Sequence, residues 1–199
     1  MSRTRSQTRT GAPAAALISD ADAKAWLRVS SSSEDDIVSS LVSAATAHLD
    51  GIDGILGRAL ITQTWVMTLA GFPAGDLLLD LPPVQSVSSV TYYDADNASQ
   101  TVSASDYRLV IGADSARLEL TDGAAWPSTY DRGDAVAVTY VTGYGDAATD
   151  VPAPIITAAK LMLANWFENR EGVTENSFSA LPMGVRMLLM PYRVPRGLI

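Results

Sequence analysis

The chain reads as an α+β protein with N-terminal helices, a central mainly antiparallel β region, a long helix in the C-terminal half and a short terminal helix. Apolar residues recur at three- to four-residue steps before residue 57 and after residue 151. Between residues 60 and 144, β-branched and aromatic residues alternate with polar ones and are punctuated by turn residues. Strands grouped in one stretch with helices on either side segregate the two element types, which is the mark of α+β architecture. No fixed-period repeat is present. Residues 1–16 are expected as a flexible basic arm and 17–193 as one domain, with helices within 20–56, the β region at 60–144 and helices within 152–190. Residues 194–199 form a tail.

Ser19 is a good N-cap, and Asp20 and Asp22 follow it where the helix dipole favours anions, so Ala21 to Val29 is expected as a short helix. The run Ser30 to Ser33 ends it, and Ser33 opens a second helix with Glu34, Asp35 and Asp36 in its first turn. Ile37, Leu41, Ala45, His48, Ile52 and Leu56 then define the expected core stripe. Gly51, Gly54 and Gly57 weaken the later turns, placing the helix end near Asp50.

Seven strands are expected: Ile61 to Leu69, Leu77 to Leu81, Val87 to Tyr93, Thr101 to Val102, Tyr107 to Ile111, Arg117 to Leu120 and Ala135 to Val141. Turns fall at Asp94 to Ser99, Gly112 to Ser115 and Asp131 to Asp134. Pro82 and Pro83 lack the amide donors of a ladder, so they belong to an edge or a connection. After Gly143-Tyr144-Gly145, Asp150 is the expected N-cap of a helix running to about Arg170, with Ile155, Ala159, Met162, Leu163, Trp166 and Phe167 on its apolar face. The loop Gly172 to Ser179 leads to a short helix carrying Val185, Leu188 and Leu189, which Pro191 ends.

A chain of 199 residues with 47% hydrophobic side chains is large enough to hold itself together by packing alone. It has no cysteine, which removes thiol nucleophiles, thiolate metal sites and disulfides together. The longest apolar run, Ile155 to Leu163, is interrupted by Thr157 and Lys160 and falls short of the ~20 residues of a membrane span. The run Ala12 to Ile18 is broken by Pro13 and is short for the core of a signal peptide.

Charge is divided unevenly. Residues 1–12 hold Arg3, Arg5 and Arg9 with no acid, and residues 176–199 hold Arg186, Arg193 and Arg196 with no acid. In residues 13–175, eight cations face all 22 acids, a net of −14 within a total of −8. An acidic body repels phosphates, which excludes broad duplex binding and turns the basic ends toward acidic protein partners or adjacent DNA.

The residues of possible chemistry each have a structural account. The lone His48 lies on the apolar stripe of a helix, where a general-base role would need a cleft with a nucleophile and an acid, and no such set is supplied nearby. Asp94, Asp96 and Asn97 imitate the start of a calcium loop, but Ser99 and Ser105 stand where Gly and a bidentate Glu are required. Glu168, Arg170, Glu171 and Glu175 suit ion pairs better than paired acid-base carboxylates. The aromatics Tyr92, Tyr93, Trp126, Tyr130, Tyr140 and Tyr144 raise the alternative of a carbohydrate- or ligand-binding β-rich module. Alternation, however, sends Tyr92 and Tyr93 to opposite faces. No catalytic, cofactor-binding or metal-binding residue is assigned, and no enzymatic role is expected.

Several separated signatures occur in a fixed order. Gly57-Arg58-Ala59-Leu60 leads to Gln63-Thr64-Trp65, then to Leu81-Pro82-Pro83-Val84. Gly143-Tyr144-Gly145, Val151-Pro152, Trp166-Phe167-Glu168-Asn169-Arg170-Glu171, Leu181-Pro182 and Pro191-Tyr192-Arg193 follow. In this order the chain resembles the head-tail connector (adaptor) family of tailed phages and phage-derived gene transfer agents over nearly all of residues 17–193. The resemblance implies a structural subunit of a homo-oligomeric ring, usually dodecameric, in the neck of a particle assembled in the bacterial host cytoplasm. It further implies docking below the portal protein, a channel through which packaged DNA passes without sequence-specific binding, and a downstream head-tail stopper or tail protein as the next partner. No cofactor or membrane is implied. Arg170, Glu171, Arg186, Tyr192, Arg193 and Arg196 are the expected portal or subunit contacts, Arg170 and Glu171 through ion pairs and Arg186, Tyr192, Arg193 and Arg196 as planar donors and one aromatic anchor.

Overall fold

The structure, a computed structural model, describes residues 5–169 and 183–194. Two units are each built from separated stretches of chain. Of the described residues, 5–14 and 62–144 belong to the first, and 15–61, 145–169 and 183–194 to the second.

The first unit is the β region. Strands β1 (Arg5–Gly11), β2 (Gln63–Leu69), β3 (Leu77–Leu79), β4 (Val84–Tyr93), β5 (Ser99–Thr101), β6 (Tyr107–Ile111), β7 (Ala116–Leu120) and β8 (Val136–Thr142) form two sheets. The five-stranded sheet has the order β1-β2-β8-β4-β5 and the three-stranded sheet the order β3-β7-β6. Every ladder between these strands is antiparallel, as expected for the β region.

Strict period two sets the central register. Gln63, Trp65, Met67 and Leu69 of β2 are buried, and so are their partners Thr142, Tyr140, Val138 and Val136 of β8. A slip of β2 by one residue would turn its own four buried side chains to the other face, so the burial pattern itself holds the pairing. In the smaller sheet Leu77 pairs with Leu118 and Leu79 with Ala116, all four buried. The connection through Pro82 and Pro83, joined by a cis bond, lies between β3 and β4, as expected for residues without amide donors.

The expected flexible arm is corrected. Arg5–Gly11 pairs antiparallel with β2 from Arg5 opposite Leu69 to Gly11 opposite Thr64. The segment has no apolar alternation to announce a strand. Its ladder bonds and polar side-chain contacts hold it: Arg5 and Gln7 donate to Asp80, and Arg9 donates to Gln63.

The second unit is helical: α1 (Asp20–Leu27), α2 (Asp35–Leu49), α3 (Ala153–Glu168) and α4 (Met183–Leu189). Ser19 caps α1 as expected, accepting from the Asp22 amide at 3.1 Å. Arg28 ends it in the left-handed conformation. Ser31, not Ser33, caps the chain entering α2, because a 3-10 turn over Ser32–Glu34 intervenes before the α-helix begins at Asp35. The buried stripe of α2 is Val38, Val42, Ala45 and Leu49. It is rotated one residue from the expected stripe, leaving Ile37 39% exposed. The helix ends at Leu49, with Asp50 in extended backbone.

Asp150 caps differently from expectation. Its carboxylate accepts from the Ala147 amide at 3.0 Å and closes a 3-10 turn, while Pro152 occupies the N-cap of α3. Pro154 in the first turn has no N–H, so fewer donors there need a cap. Ile155, Ala158, Ala159, Met162 and Leu163 form the buried face of α3, and Val185 and Leu189 that of α4. Each large side chain so buried stabilises the fold by about 1.5–3 kcal/mol.

Candidate interaction site

Of the six residues expected at portal or subunit contacts, Arg170, Glu171 and Arg196 lie outside the described residues. The other three sit together at α4 and the 3-10 turn that follows it, Met190–Tyr192. Arg186 and Arg193 are exposed. Tyr192 is half-buried, and its carbonyl accepts from Arg58 Nε at 2.5 Å. Val194 N donates to Leu56 O at 2.9 Å, so two consecutive anchors tie this turn to the Leu56-Gly57-Arg58 segment. Arg58 is itself buried, which makes its bond to the Tyr192 carbonyl a charge-assisted bond away from water. The turn is therefore a fixed presentation of Arg193.

The same element carries residues the sequence reading passed over. Met183, Met187 and Met190 are 76%, 69% and 71% exposed, whereas Val185 and Leu189 on the other side of α4 are buried. Their spacing of four and three residues aligns them on one stripe. Only the choice of face was missing from the sequence, since Met is as common in cores as on adaptable surfaces. A second exposed apolar set lies on the other helices. Trp26 is 45% exposed, with Lys160 Nζ 5.7 Å from its ring centroid, and Leu161 is exposed beside it in α3.

The residues weighed for chemistry fall to structural roles. His48 meets Trp166 edge-on, with ring centroids 6.2 Å apart. Asp94 accepts from the Asp96 and Ala98 amides at 3.0 Å each and from Gln100 Nε2 at 2.8 Å, which closes the β4–β5 hairpin. The Gln100 and backbone bonds hold its carboxyl below the ordinary carboxylate range. Among the described residues, no group of His, Asp and Glu is placed to hold a metal ion. No described helix is long and apolar enough to cross a membrane.

The aromatics do not make one platform. Tyr140 is fully buried. Tyr92 lies edge-on to Phe72 at 5.9 Å, while Tyr93 takes the Arg132 guanidinium 3.8 Å above its ring, so the neighbouring tyrosines serve different faces. Trp126 stacks on Phe72 at 4.7 Å and donates to Gly75 O at 3.0 Å.

No protein-family model matches the chain, and no curated protein does. Solved structures do. A chain in the neck of an empty gene transfer agent particle, computed with six-fold symmetry, matches with a TM-score of 0.77 at 26% identity, covering 97% of each chain. This chain has the fold of a gene transfer agent neck protein. A chain in the virion of the native particle matches at a TM-score of 0.74 and 24% identity, covering 96% of this chain and 97% of that one. The native neck computed with twelve-fold symmetry supplies a third match, at 0.70 and 24%, covering 97% of each chain. The resemblance to the connector family, read from the ordered signatures, is borne out by this neck fold.

Proposed function

We propose that the chain is a structural head-tail connector subunit, non-enzymatic, forming a ring in the neck of a phage or phage-like particle. The observation that carries this reading is the full-length likeness, at 26% identity, to a chain in a gene transfer agent neck. The six-fold and twelve-fold symmetry of the matched necks supports a multimeric ring, with twelve copies as the finer proposal. In this reading the ring docks below the portal, extends the DNA channel and receives the next neck or tail protein. The net charge of −8 suits a channel wall past which DNA slides without adhering.

Portal docking falls to the C-terminal segment. Arg193 is exposed on a turn that Arg58 anchors, and Arg196 and the tail 194–199 continue from it in sequence. Guanidinium groups pair bidentately with carboxylates, which suits an acidic partner surface. Arg170 and Glu171, following α3, are proposed as ion-pair partners within or between subunits.

The test is electron microscopy and composition of particles purified from producing cells with and without the chain. Wild-type particles are expected to carry it as a ring in the neck. Particles without it are expected to lack tails and to lose DNA. Tailed, filled particles from the deletion would overturn the reading. Removal of residues 195–199, which leaves the Arg58 anchor intact, is expected to lower particle-bound chain, and an unchanged level would move portal docking elsewhere.

A further inference from the structure

A closed ring of identical subunits needs two different complementary faces on each copy. The helical unit exposes two such faces. On α4, Met183, Met187 and Met190 line one side over about 10 Å of helix and its continuation, with Arg186 exposed among them. At the start of α2, Ile37 stands out from its helix with Asp36 exposed beside it. One face is apolar with a cation, and the other is apolar with an anion.

We infer that the methionine stripe of α4 seats on the first turns of α2 of a second copy of this chain, with Arg186 against Asp36 and Met187 against Ile37. Three observations favour this occupant. The opposite side of α4 is already spent on burying Val185 and Leu189, so among the described residues the stripe is the side of the helix left for a partner. The charges are complementary between the two faces and alike within each, so α4 repels α4 and accepts α2. Because the faces differ, each contact leaves a free copy of both, and association runs head to tail until it closes instead of stopping at a dimer. Methionine side chains adapt to an irregular apolar surface, which suits a joint repeated round a ring.

The inference rests on the ring reading, and the test separates the two. The chain has no cysteine, so Ile37→Cys and Met187→Cys introduce the only thiols. Particles carrying the double variant, mildly oxidised and run without reductant, are expected to give a ladder of multiples, and either single variant none. If the double variant sits in the neck but gives no ladder, or if Met187→Cys alone gives dimers, the surface is wrong while the ring stands. If the wild-type chain is absent from particles, both fall. Should the double variant fail to assemble, a charge exchange decides. Arg186→Glu and Asp36→Arg are each expected to cut neck occupancy at least about tenfold, and together to restore it. Failure to restore overturns the pairing.

Discussion

Arg5 Nη1 lies 3.1 Å from each carboxylate oxygen of Asp80, 75 residues further along the chain. Its Nη2 also donates to the Leu78 carbonyl at 2.9 Å, and Gln7 donates to the same carboxylate. An edge strand made of Arg, Ser, Gln and Thr is thus fastened to the β region through one partly buried anion. Burial raises the Asp80 carboxyl above its ordinary value, and the attraction of Arg5 and the bonds from Gln7 and Arg5 only partly oppose it.

A raised folded-state value means that the contribution of Asp80 to stability is fully present below its unfolded value of 3.8 and is lost as pH rises through the folded value. At neutral pH the ionised Asp80 therefore weighs against the fold. The stability of wild type minus that of Asp80→Asn is expected to move in favour of wild type as pH falls from 7 toward 4. Urea unfolding at each pH measures it, and parallel curves for the two proteins would contradict it.

Tyr140 is fully buried opposite Trp65, and its hydroxyl has no hydrogen-bond partner among the described residues. Burial, with the nearby Asp80 charge, pushes its phenol well above the usual value. Tyr140→Phe removes an unsatisfied polar atom and keeps the ring, so it is expected to stabilise by about 1 kcal/mol. A loss of that size in urea unfolding would show that the hydroxyl is satisfied in solution.

Arg58→Ala is expected to cost about 1.5–3 kcal/mol, since it deletes a charge-assisted bond to the Tyr192 carbonyl from a buried position. The loss should be local. Hydrogen exchange at the Arg193 and Val194 amides, whose acceptors are Met190 O and Leu56 O, is expected to rise more than exchange in α2. Uniform acceleration across the helices would mean that Arg58 supports the whole unit and not the C-terminal turn.

At Gly145 an added Cβ would lie 2.3–2.6 Å from the Asp150 side chain, whose carboxylate caps the Ala147 amide. Gly145→Ala is expected to displace that carboxylate and cost about 0.5–2 kcal/mol, the range for a lost cap. Gly75→Ala, with nothing within 4 Å of its Cβ, serves as the comparison and should change thermal unfolding far less. Equal effects would rule out the close approach as the cause.

The amino-acid sequence by itself determined what depends on near neighbours. Tyr107–Ile111 matches its expected limits, and Ser19 and the Asp94 hairpin act as their short-range chemistry dictates. The order of signatures was also enough to reach the neck fold. Only the tertiary structure decided that Arg5–Gly11 is a strand, because its hold comes from β2 and Asp80 and not from any pattern of its own. It likewise rotated the stripe of α2 to Val38, Val42, Ala45 and Leu49, and turned Met183 and Met187 of α4 and Met190 of the following turn outward. Helical spacing marks which residues share a face, but which face is buried is set by the elements packed against it. The tie from Arg58 to Tyr192 spans 134 residues, and no local propensity encodes a bond of that range.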